Sequence, residues 1–453
     1  MGPKVIAFFL PRPPNYPMPF VDVGDDILLD ILALCDVYTV IAVSAIDKRL
    51  HALTQTKQLW LSLIQDSTFR HVLELRPPNN LELQLHSTRE LVDLIKRAVI
   101  GPPPWWPGGP SSSRTPSYTI AFNTGLEIIH DYRLLPGARY MALRGASAVG
   151  KDLVMYEVWT GRCVWGIAKR TLTRFAIDVV PGGTTARVLL ALPTAYVGGG
   201  YHLYVEEVDF ITGTSSEVFR LGFATRLKSL IAIVGEFLLY SLPSSDAEEK
   251  QVLVNWRKST YVVLNYGTET NSSAILIPGY IVASHPDTSP PYQQLFTVTE
   301  LDAFAPHWQP LTTISLSGQL FPSTIPITTQ ERLEYKGRPL GEFMRTHVRL
   351  SITPSAVYRG ASTVMVYVNE FPKPRPTPTL TAQMGAFFRG RRQPEESARA
   401  ALLTYWLKPP GQACGLRLVS AQLATPSFNT SPLTPPRAVL EHSGSSFTVS
   451  YYQ

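Results

Sequence analysis

The chain has 453 residues, of which 45% are hydrophobic, and its 41 basic and 35 acidic side chains give a formal charge of +6. This small surplus does not form a block of like charges, so no nucleic-acid partner is expected. The densest basic spot, Arg389 with Arg391 and Arg392, has the proline-flanked composition of a solvated loop. The length predicts more than one structural unit, because single hydrophobic cores do not grow this large.

Cysteine usage and apolar runs indicate the cellular setting. The three cysteines, Cys35, Cys163 and Cys414, are far apart and odd in number, which favours neither a disulfide framework nor a thiolate metal site. The apolar run at residues 5–10 is too short for a secretory signal. No run approaches the roughly 18 apolar residues of a membrane span. We therefore expect a soluble protein of the cytoplasm, the nucleus or both, with no membrane contact.

The first predicted unit is helical. Residues 1–19 are rich in proline and predict a disordered lead-in. From Asp25 onward, apolar residues recur with the 3.6-residue period of a helix, and one of the two acids at its head, Asp25 or Asp26, suits an N-cap. A second helix is predicted at 37–45 and a third at 48–64, with a possible break at 54–56. Residues 20–66 are therefore predicted to form a small three-helix bundle.

A further helix is predicted to brace this bundle. Within the segment 67–100, Ser87 and Glu90 have capping-box spacing ahead of an apolar stripe, which predicts a helix at 87–100. The Pro, Gly and Ser content of 101–117 is typical of a linker. Trp105 and Trp106 are unusual in a free linker, so we expect them to pack on a neighbouring unit.

From residue 118 to 453 the sequence predicts an all-β domain. Short β-rich runs lie at 153–159, 186–192, 201–208, 229–234, 236–242, 251–256, 260–266, 294–301 and 364–371. The run that begins at Gly235 aligns with the run that begins at Gly279, and 251–254 aligns with 295–298 at the same offset. A β unit that repeats every ~40 to 50 residues predicts a β-propeller.

The length of this domain fits six or seven blades with loop insertions near 322–344 and 372–399. The last strand, at 445–453, either pairs with the first blade to close the ring or ends within a blade. The fold class predicted for the whole chain is thus α+β and multidomain, with a helical bundle followed by a propeller.

The sequence contains no pattern of catalytic, cofactor-binding or metal-binding residues. The nearest approach to a nucleophile elbow, at 145–149, lacks its final glycine, and the nine histidines are dispersed. We therefore expect a non-catalytic protein without a cofactor or metal. An enzyme with a site built from distant loops in the propeller channel is kept as an alternative.

Residues 23–63 resemble an F-box. The matching residues are Asp26, Ile27, Leu28, Leu29, Ile31, Leu32, Val40, Val43, Lys48, Arg49, Leu50, Leu53, Leu59 and Trp60. Val23 and Gly24 stand where the family favours Leu-Pro. Residues 154–167 look like the third strand, turn and fourth strand of a WD-repeat blade, with Thr160 in place of the usual Asp. An F-box followed by a β-rich region is similar to the F-box proteins abundant in mushroom-forming fungi.

The resemblance implies the substrate receptor of an SCF-type cullin-RING ubiquitin ligase. Its F-box would bind a Skp-type adaptor, and through it a cullin, while the β domain would bind an unknown protein target. The implied adaptor-binding residues are Val23, Gly24, Ile27, Leu28, Ile31, Val40, Val43, Lys48 and Arg49. Those predicted to form the core of the F-box are Leu32, Leu50, Leu53, Leu59 and Trp60. The alternative is a propeller scaffold whose F-box-like module binds no adaptor.

Overall fold

The computed structural model describes most of the chain. The described residues are 23–100, 117–124, 128–146, 153–168, 174–180, 183–193, 200–223, 229–243, 249–264, 273–287, 289–290, 293–313, 325–340, 345–371, 399–412, 415–424 and 437–452. The expected lead-in at 1–19, most of the linker with Trp105 and Trp106, and nearly all of the insertion expected at 372–399 lie outside these residues.

Seven helices form the N-terminal part of the described chain, which we call the helical unit. They are α1 (Asp25–Ala33), α2 (Val37–Ser44), α3 (Lys48–Thr54), α4 (Lys57–Gln65), α5 (Ser67–Val72), α6 (Asn80–Leu85) and α7 (Thr88–Ile100). The predicted third helix is thus divided into α3 and α4 at Gln55 and Thr56, where the sequence indicated a possible break. The helix predicted at 87–100 is α7.

Side-chain caps fix where several of these helices begin. Four of them follow an Asp or Asn whose side chain accepts a first-turn amide; the caps are Asp36, Asp47, Asp66 and Asn79. Ser87 and Glu90 make the reciprocal bonds of a capping box, with Glu90 Oε2 2.7 Å from the Ser87 amide. Neither acid at the head of α1 is its N-cap, because Gly24 occupies that position without a side-chain bond.

The helical unit has one hydrophobic core. Its buried members come from all seven helices and the α5–α6 segment: Leu28, Leu32, Val37, Val40, Leu50, Leu53, Leu59, Trp60, Leu63, Ile64, Phe69, Leu73, Leu75, Leu83, Leu91, Ile95 and Ala98. Trp60 is 6% exposed, and its indole Nε1 donates to the Thr54 carbonyl at 2.7 Å. The 67–100 segment therefore shares the core of the bundle it was predicted to brace.

Strands fill the rest of the described chain. The first is β1 (Tyr118–Asn123). Sheet 1 holds β2 (Ile128–Leu134), β3 (Tyr140–Ala146), β4 (Leu153–Glu157) and β5 (Arg162–Ile167). Sheet 2 holds β6 (Arg174–Val179), β7 (Thr185–Pro193), β8 (Tyr201–Asp209) and β9 (Thr214–Phe223). Sheet 3 holds β10 (Ser229–Val234), β11 (Phe237–Pro243), β12 (Glu249–Asn255) and β13 (Thr260–Leu264).

The remaining strands repeat this order. Sheet 4 holds β14 (Ser273–Ile277), β15 (Tyr280–Pro286), β16 (Gln294–Glu300) and β18 (Thr329–Arg332). A 3-10 helix (Leu301–His307), a short strand and a 3-10 turn lie between β16 and β18. That short strand, β17 (Gln309–Pro310), adds to the edge of sheet 3. A separate hairpin holds β19 (Glu334–Tyr335) and β20 (Arg338–Pro339). Sheet 5 holds β21 (Arg345–Pro354), β22 (Ser362–Phe371), β23 (Arg399–Leu407) and β24 (Leu416–Ala424).

The last two strands complete a sheet with the first. In this closing sheet β25 (Ala438–Ser443) pairs with β26 (Ser446–Tyr451), and β26 pairs antiparallel with β1. The register runs from Tyr118 opposite Tyr451 to Asn123 opposite Ser446. Of the two alternatives for the last strand, the structure therefore shows the pairing with the beginning of the β domain.

Consecutive sheets bury their faces against each other. Leu189 and Leu203 of sheet 2 share a core cluster with Tyr240 and Val252 of sheet 3. Equivalent clusters join the closing sheet to sheet 1, sheet 1 to sheet 2, sheet 3 to sheet 4, and sheet 4 to sheet 5. The first strands β6, β10, β14 and β21 also contact one another in that order. Four-stranded antiparallel sheets that pack in series and are joined end to beginning by β1 form a β-propeller.

The repeat in the sequence corresponds to the repeat of sheets. Gly235 and Gly279 occupy the same turn, between the first and second strands of sheets 3 and 4, with φ of +56° and +81°. This left-handed conformation favours glycine at both places. The aligned runs at 251–254 and 295–298 lie in the third strands, β12 and β16. Residues 154–167 form the strand, turn and strand predicted for them.

One predicted insertion is partly wrong. The range 322–344 contains β18, which pairs with β16 as the fourth strand of sheet 4. Its residues, Thr329 to Arg332, are polar and alternate between half-buried and exposed, so the composition resembles a loop. The extra residues of this sheet instead lie between β16 and β18. The blade number, six or seven, stays a prediction. No helix within the described residues is long and apolar enough to cross a membrane.

Replacing Trp60 tests the core of the helical unit. Trp60→Ala should lower the free energy of unfolding by ~3 to 5 kcal/mol, because it empties a buried aromatic site. Chemical denaturation of the full chain measures this. Leu81→Ala is the control, since Leu81 is 77% exposed. A loss below ~1 kcal/mol for Trp60→Ala would show that the indole is not part of the core.

Tyr451→Phe tests the closing sheet. The Tyr451 hydroxyl donates to the Ala138 carbonyl at 2.6 Å and accepts from Trp159 Nε1 at 3.1 Å, which ties β26 to sheet 1. Its removal leaves the Ala138 carbonyl and the half-buried Trp159 N–H without this partner and should lower the free energy of unfolding by about 1 to 3 kcal/mol. Tyr132→Phe, at a ring that is 41% exposed, is the matched control. Equal effects of the two variants would contradict this role.

Candidate functional site

The first two helices expose large apolar side chains that the core of the helical unit does not use. Six residues are involved: Ile27, Ile31, Leu34, Tyr38, Ile41 and Ile46. Their exposed fractions range from 50% at Ile31 to 78% at Leu34. We call these six residues the α1–α2 surface. Buried apolar residues normally outnumber exposed ones on short helices of a folded unit, so this surface is the most distinctive feature of the helical unit.

The period of α1 explains why the surface exists. Leu28 and Leu32 are one turn apart and point into the core, whereas Ile27 and Ile31 form a second stripe, one turn apart, on the other side. Leu34 continues the outer stripe at i+7 from Ile27. A helix of this length can bury only one of two apolar stripes against α3 and α4. The other remains at the surface.

The structure corrects two residues of the predicted adaptor face. Leu28 is 3% exposed and Val40 is 0% exposed, and both lie in the core of the helical unit. They cannot contact a partner without opening the bundle. Leu34, Tyr38, Ile41 and Ile46 were not predicted for this face, although the i, i+4, i+7 spacing of Ile27, Ile31 and Leu34 was a signal that these three residues share one side of α1.

The other predicted face residues differ in accessibility. Ile27, Ile31, Gly24 and Lys48 are exposed, whereas Val23 and Val43 are half-buried. Arg49 is used within the unit. Its guanidinium lies 2.6 Å from the Asp25 carboxylate and also donates to the Val23 carbonyl, so it holds the start of α1.

The residues predicted for the core of the bundle lie together. Leu32, Leu50, Leu53, Leu59 and Trp60 are all buried, in one cluster. They come from α1, α3 and α4. The α1–α2 surface is therefore supported from behind by a packed core.

A turn of the β domain lies against the start of α2. The turn between β21 and β22 places the Val357 carbonyl 3.0 Å from the Tyr38 amide. The rings of Tyr38 and Tyr358 meet edge to face at 5.2 Å between centroids. The side chain of Val357 packs on the core of the helical unit. The α1–α2 surface thus borders a fixed contact with sheet 5.

The Asp36 carboxylate links the helical unit to the β21–β22 turn through hydrogen bonds. One carboxylate oxygen accepts the Thr39 amide at 2.7 Å, and the other accepts the Arg359 amide at 2.9 Å. Burial alone would raise the pKa of Asp36, but the hydrogen bonds from Arg359 and Thr39 outweigh it and hold the pKa below its ordinary value. The ionised carboxylate therefore both caps α2 and binds the β21–β22 turn.

A second contact ties the other end of the helical unit to the closing sheet. The Arg437 guanidinium, just before β25, donates to the carbonyls of Ala98 and Val99 at the end of α7. Cations stabilise the negative end of a helix dipole. Glu74 accepts the backbone amides of Arg437 and Ala438, and burial raises its pKa. The helical unit is thus anchored to the β domain at two separated places.

The described residues hold no group of three or more His, Cys, Asp or Glu side chains that could bind a metal ion. Ionic side chains instead form a network across sheets 2 and 3. Arg187 lies 3.0 Å from Asp178, and Arg257 lies 3.1 Å from Glu207. Asp178 also accepts the Gly235 amide at 2.9 Å. These contacts join neighbouring sheets and need no ligand to explain them.

The known proteins that resemble this chain are solved structures of low sequence identity. No family model matches the sequence, and no curated protein matches it. Among solved structures, the β-propeller domain of Cps50 (Swd1) from Myceliophteria thermophila aligns with 74% of this chain and 100% of its own, at 10% identity and a TM-score of 0.31. The Dos1 propeller aligns with 71% of this chain and 77% of its own, at 12% identity and a TM-score of 0.30.

A third match is the WD40 domain of SCAP from fission yeast, over 72% of this chain and 82% of that domain, at 8% identity and a TM-score of 0.26. Scores this low carry no argument by themselves. The class of the β domain rests on the serial packing of its sheets and on the β1–β26 pairing. It is a β-propeller.

Asp36→Ala tests the link between the helical unit and sheet 5. It removes the cap of α2, worth ~1 kcal/mol, and also the bond to Arg359, worth about 1 kcal/mol more. Asp47→Ala is a matched control, because Asp47 caps α3 through the Leu50 amide at 2.8 Å. Denaturation of the full chain should show the larger loss for Asp36→Ala, and equal losses would contradict the link.

The depressed pKa of Asp36 predicts that its contribution to the free energy of unfolding depends on pH. Because the folded pKa of Asp36 is depressed, its stabilisation is complete above the ordinary value of 3.8 and is lost as the pH falls through the lower folded value. The difference in the free energy of unfolding between the unsubstituted chain and Asp36→Ala should therefore shrink in strong acid, as denaturation at several pH values would measure.

Proposed function

We propose that this protein is the substrate-recognition subunit of an SCF-type cullin-RING ubiquitin ligase. The helical unit binds a Skp-type adaptor, and through it a cullin, while the propeller binds the protein to be modified. The protein itself carries out no chemistry, since other subunits transfer ubiquitin. The observation that carries the proposal is the α1–α2 surface, which lies within the segment that resembles an F-box.

The α1–α2 surface has the chemistry that a protein partner would cover. It presents aliphatic side chains and one tyrosine, and such residues lose water favourably when a partner packs on them. The charged neighbours Lys48 and Asp30 are exposed and can form a polar rim. A packed core behind the surface keeps it in one conformation, which reduces the entropy lost on binding.

Gly24 differs from the proline that F-boxes favour at this position in its side chain, but its backbone has a conformation that proline can adopt. Gly24 has φ of −61° and ψ of 150°. Proline is restricted to this φ, so the chain enters α1 along the path that the family's Leu-Pro would take. What the chain lacks is the ring and its contact area. We expect adaptor binding to rest more heavily on Ile27, Ile31 and Leu34.

The alternative function is a propeller scaffold whose helical unit binds no adaptor. The observation that favours it is the β21–β22 turn, whose Val357 and Tyr358 already cover part of α2. In that case the helical unit would be a structural extension of the propeller. The α1–α2 surface would then serve another partner.

Adaptor binding distinguishes the two functions. The full chain, coexpressed with a Skp-type adaptor, should capture it, and Ile31→Glu should weaken binding by at least about tenfold, as expected for a central apolar contact. Ile31 is 50% exposed, so the charge should not unfold the helical unit. Affinity is measured on purified proteins.

Ile211→Glu is the matched control for this variant. Ile211 lies in the β8–β9 turn and is 68% exposed, so the same substitution there should leave adaptor binding unchanged. A folded chain that binds no adaptor at any practical concentration would exclude the ligase function. Affinity purification with mass spectrometry on the same preparation would identify the target.

A further inference from the structure

A cavity of about 360 Å³ lies in the helical unit, and none of its lining residues belongs to the α1–α2 surface. Its walls come from α4, α5, the α5–α6 segment, α6 and α7, and Ser117, just before β1, also lines it. Pro77, Pro78, Leu83 and Leu94 make part of the wall apolar. The cavity therefore sits where the helical unit meets the β domain.

Positive charge dominates the lining of this cavity. Arg70, Arg76 and Arg97 contribute three guanidinium groups, and Glu82 is the one carboxylate among the lining residues. Glu82 lies 3.3 Å from Arg76, which compensates one of the three charges. Two positive charges remain in a partly enclosed space.

Arg70 is the most unusual of the three. It is 9% exposed, and its terminal nitrogens donate to the carbonyls of Ile64 and Arg76, while its Nε has no hydrogen-bond partner. Burial and the nearby charge of Arg76 lower the pKa of Arg70 to about 10. No ion pair within the described residues compensates it. A buried cation without an anion is costly, so an anion that enters the cavity is attracted strongly.

The other two arginines are placed to add contacts. The Arg76 guanidinium lies 5.7 Å from the centre of the Tyr118 ring and is about one-third exposed. Arg97 is exposed in the last turn of α7, where its Nε makes a long bond of 3.4 Å to the Asp93 carbonyl. Both side chains keep N–H groups that can turn toward a ligand.

We propose that this cavity binds a phosphate group. The excess of two positive charges matches the charge of a phosphate ester, about −1.5 to −2 near neutral pH. Guanidinium groups also match the oxygens of phosphate in paired hydrogen bonds. A single carboxylate would compensate only one of the two charges. This site is independent of adaptor binding, because none of its lining residues belongs to the α1–α2 surface.

Binding of phosphate would stabilise the junction between the two parts of the protein. Ala98 lines the cavity and also accepts the Arg437 bond from the closing sheet. Ser117, which donates to the Tyr451 carbonyl, also lines the cavity. An occupied cavity therefore joins α7 to the start of β1.

Titration calorimetry on the full chain tests the proposal. The probes are inorganic phosphate and N-acetyl-phosphoserine amide, with acetate at equal ionic strength as the monoanion control. We expect binding of one or both phosphate probes and at least roughly tenfold weaker binding of acetate. A preference for inorganic phosphate points to a free ligand, and a preference for phosphoserine points to a phosphorylated peptide.

Substitutions on α7 show whether the cavity is responsible. Arg97→Gln should weaken phosphate binding roughly tenfold, whereas Arg89→Gln, an exposed arginine on the same helix outside the cavity, should not. Arg76→Gln should act like Arg97→Gln. Arg70 is left unchanged, since its bonds to two carbonyls support the fold. Absence of phosphate binding, or equal binding by the Arg97 and Arg89 variants, would overturn the proposal.

Discussion

The apolar faces of the sheets impose the constraint on which this molecule depends. Sheets 1 to 4 are apolar on both sides, as the wholly buried strand β4 and the nearly buried strands β15 and β16 show. A sheet of this kind cannot stand alone in water and is stable only between two neighbours. The series of sheets therefore cannot simply stop, because an apolar face would be left in water. The pairing of β1 with β26 joins the end of the β domain to its beginning.

The position of the helical unit follows from the same pairing. β1 comes soon after α7 in the chain, so fixing β1 in the closing sheet brings α7 beside Arg437 and β25. The α2 end is then held by the β21–β22 turn through Asp36 and Tyr38. With anchors at both ends, the α1–α2 surface has a set orientation relative to the propeller.

Much of this architecture could be predicted from local sequence patterns. Alternation and β-branched residues indicated the long central strands, and the recurrence of Gly235 at Gly279 indicated repeated sheets because a left-handed turn favours glycine. The polar strand β18 and the two-residue strand β17 were not predictable, since their pairing depends on neighbours that sequence does not show. Periodicity likewise identified the apolar residues of α1 but could not decide which stripe, Leu28 or Ile27, faces inward. The cavity with Arg70 combines residues from separate helices and left no local pattern.

The β1–β26 pairing also determines when the protein can finish folding during its synthesis. Ser117 and Tyr451, which are hydrogen-bonded across this junction, are 334 residues apart. Translation adds roughly 5 to 20 residues per second, so β1 must remain unpaired for many seconds after it leaves the ribosome. During that interval its edge is open to other chains, and short strands with polar positions such as Thr119 and Asn123 reduce that hazard. A truncated product that lacks the last strand would keep this edge exposed and would be a natural substrate for chaperones and proteases.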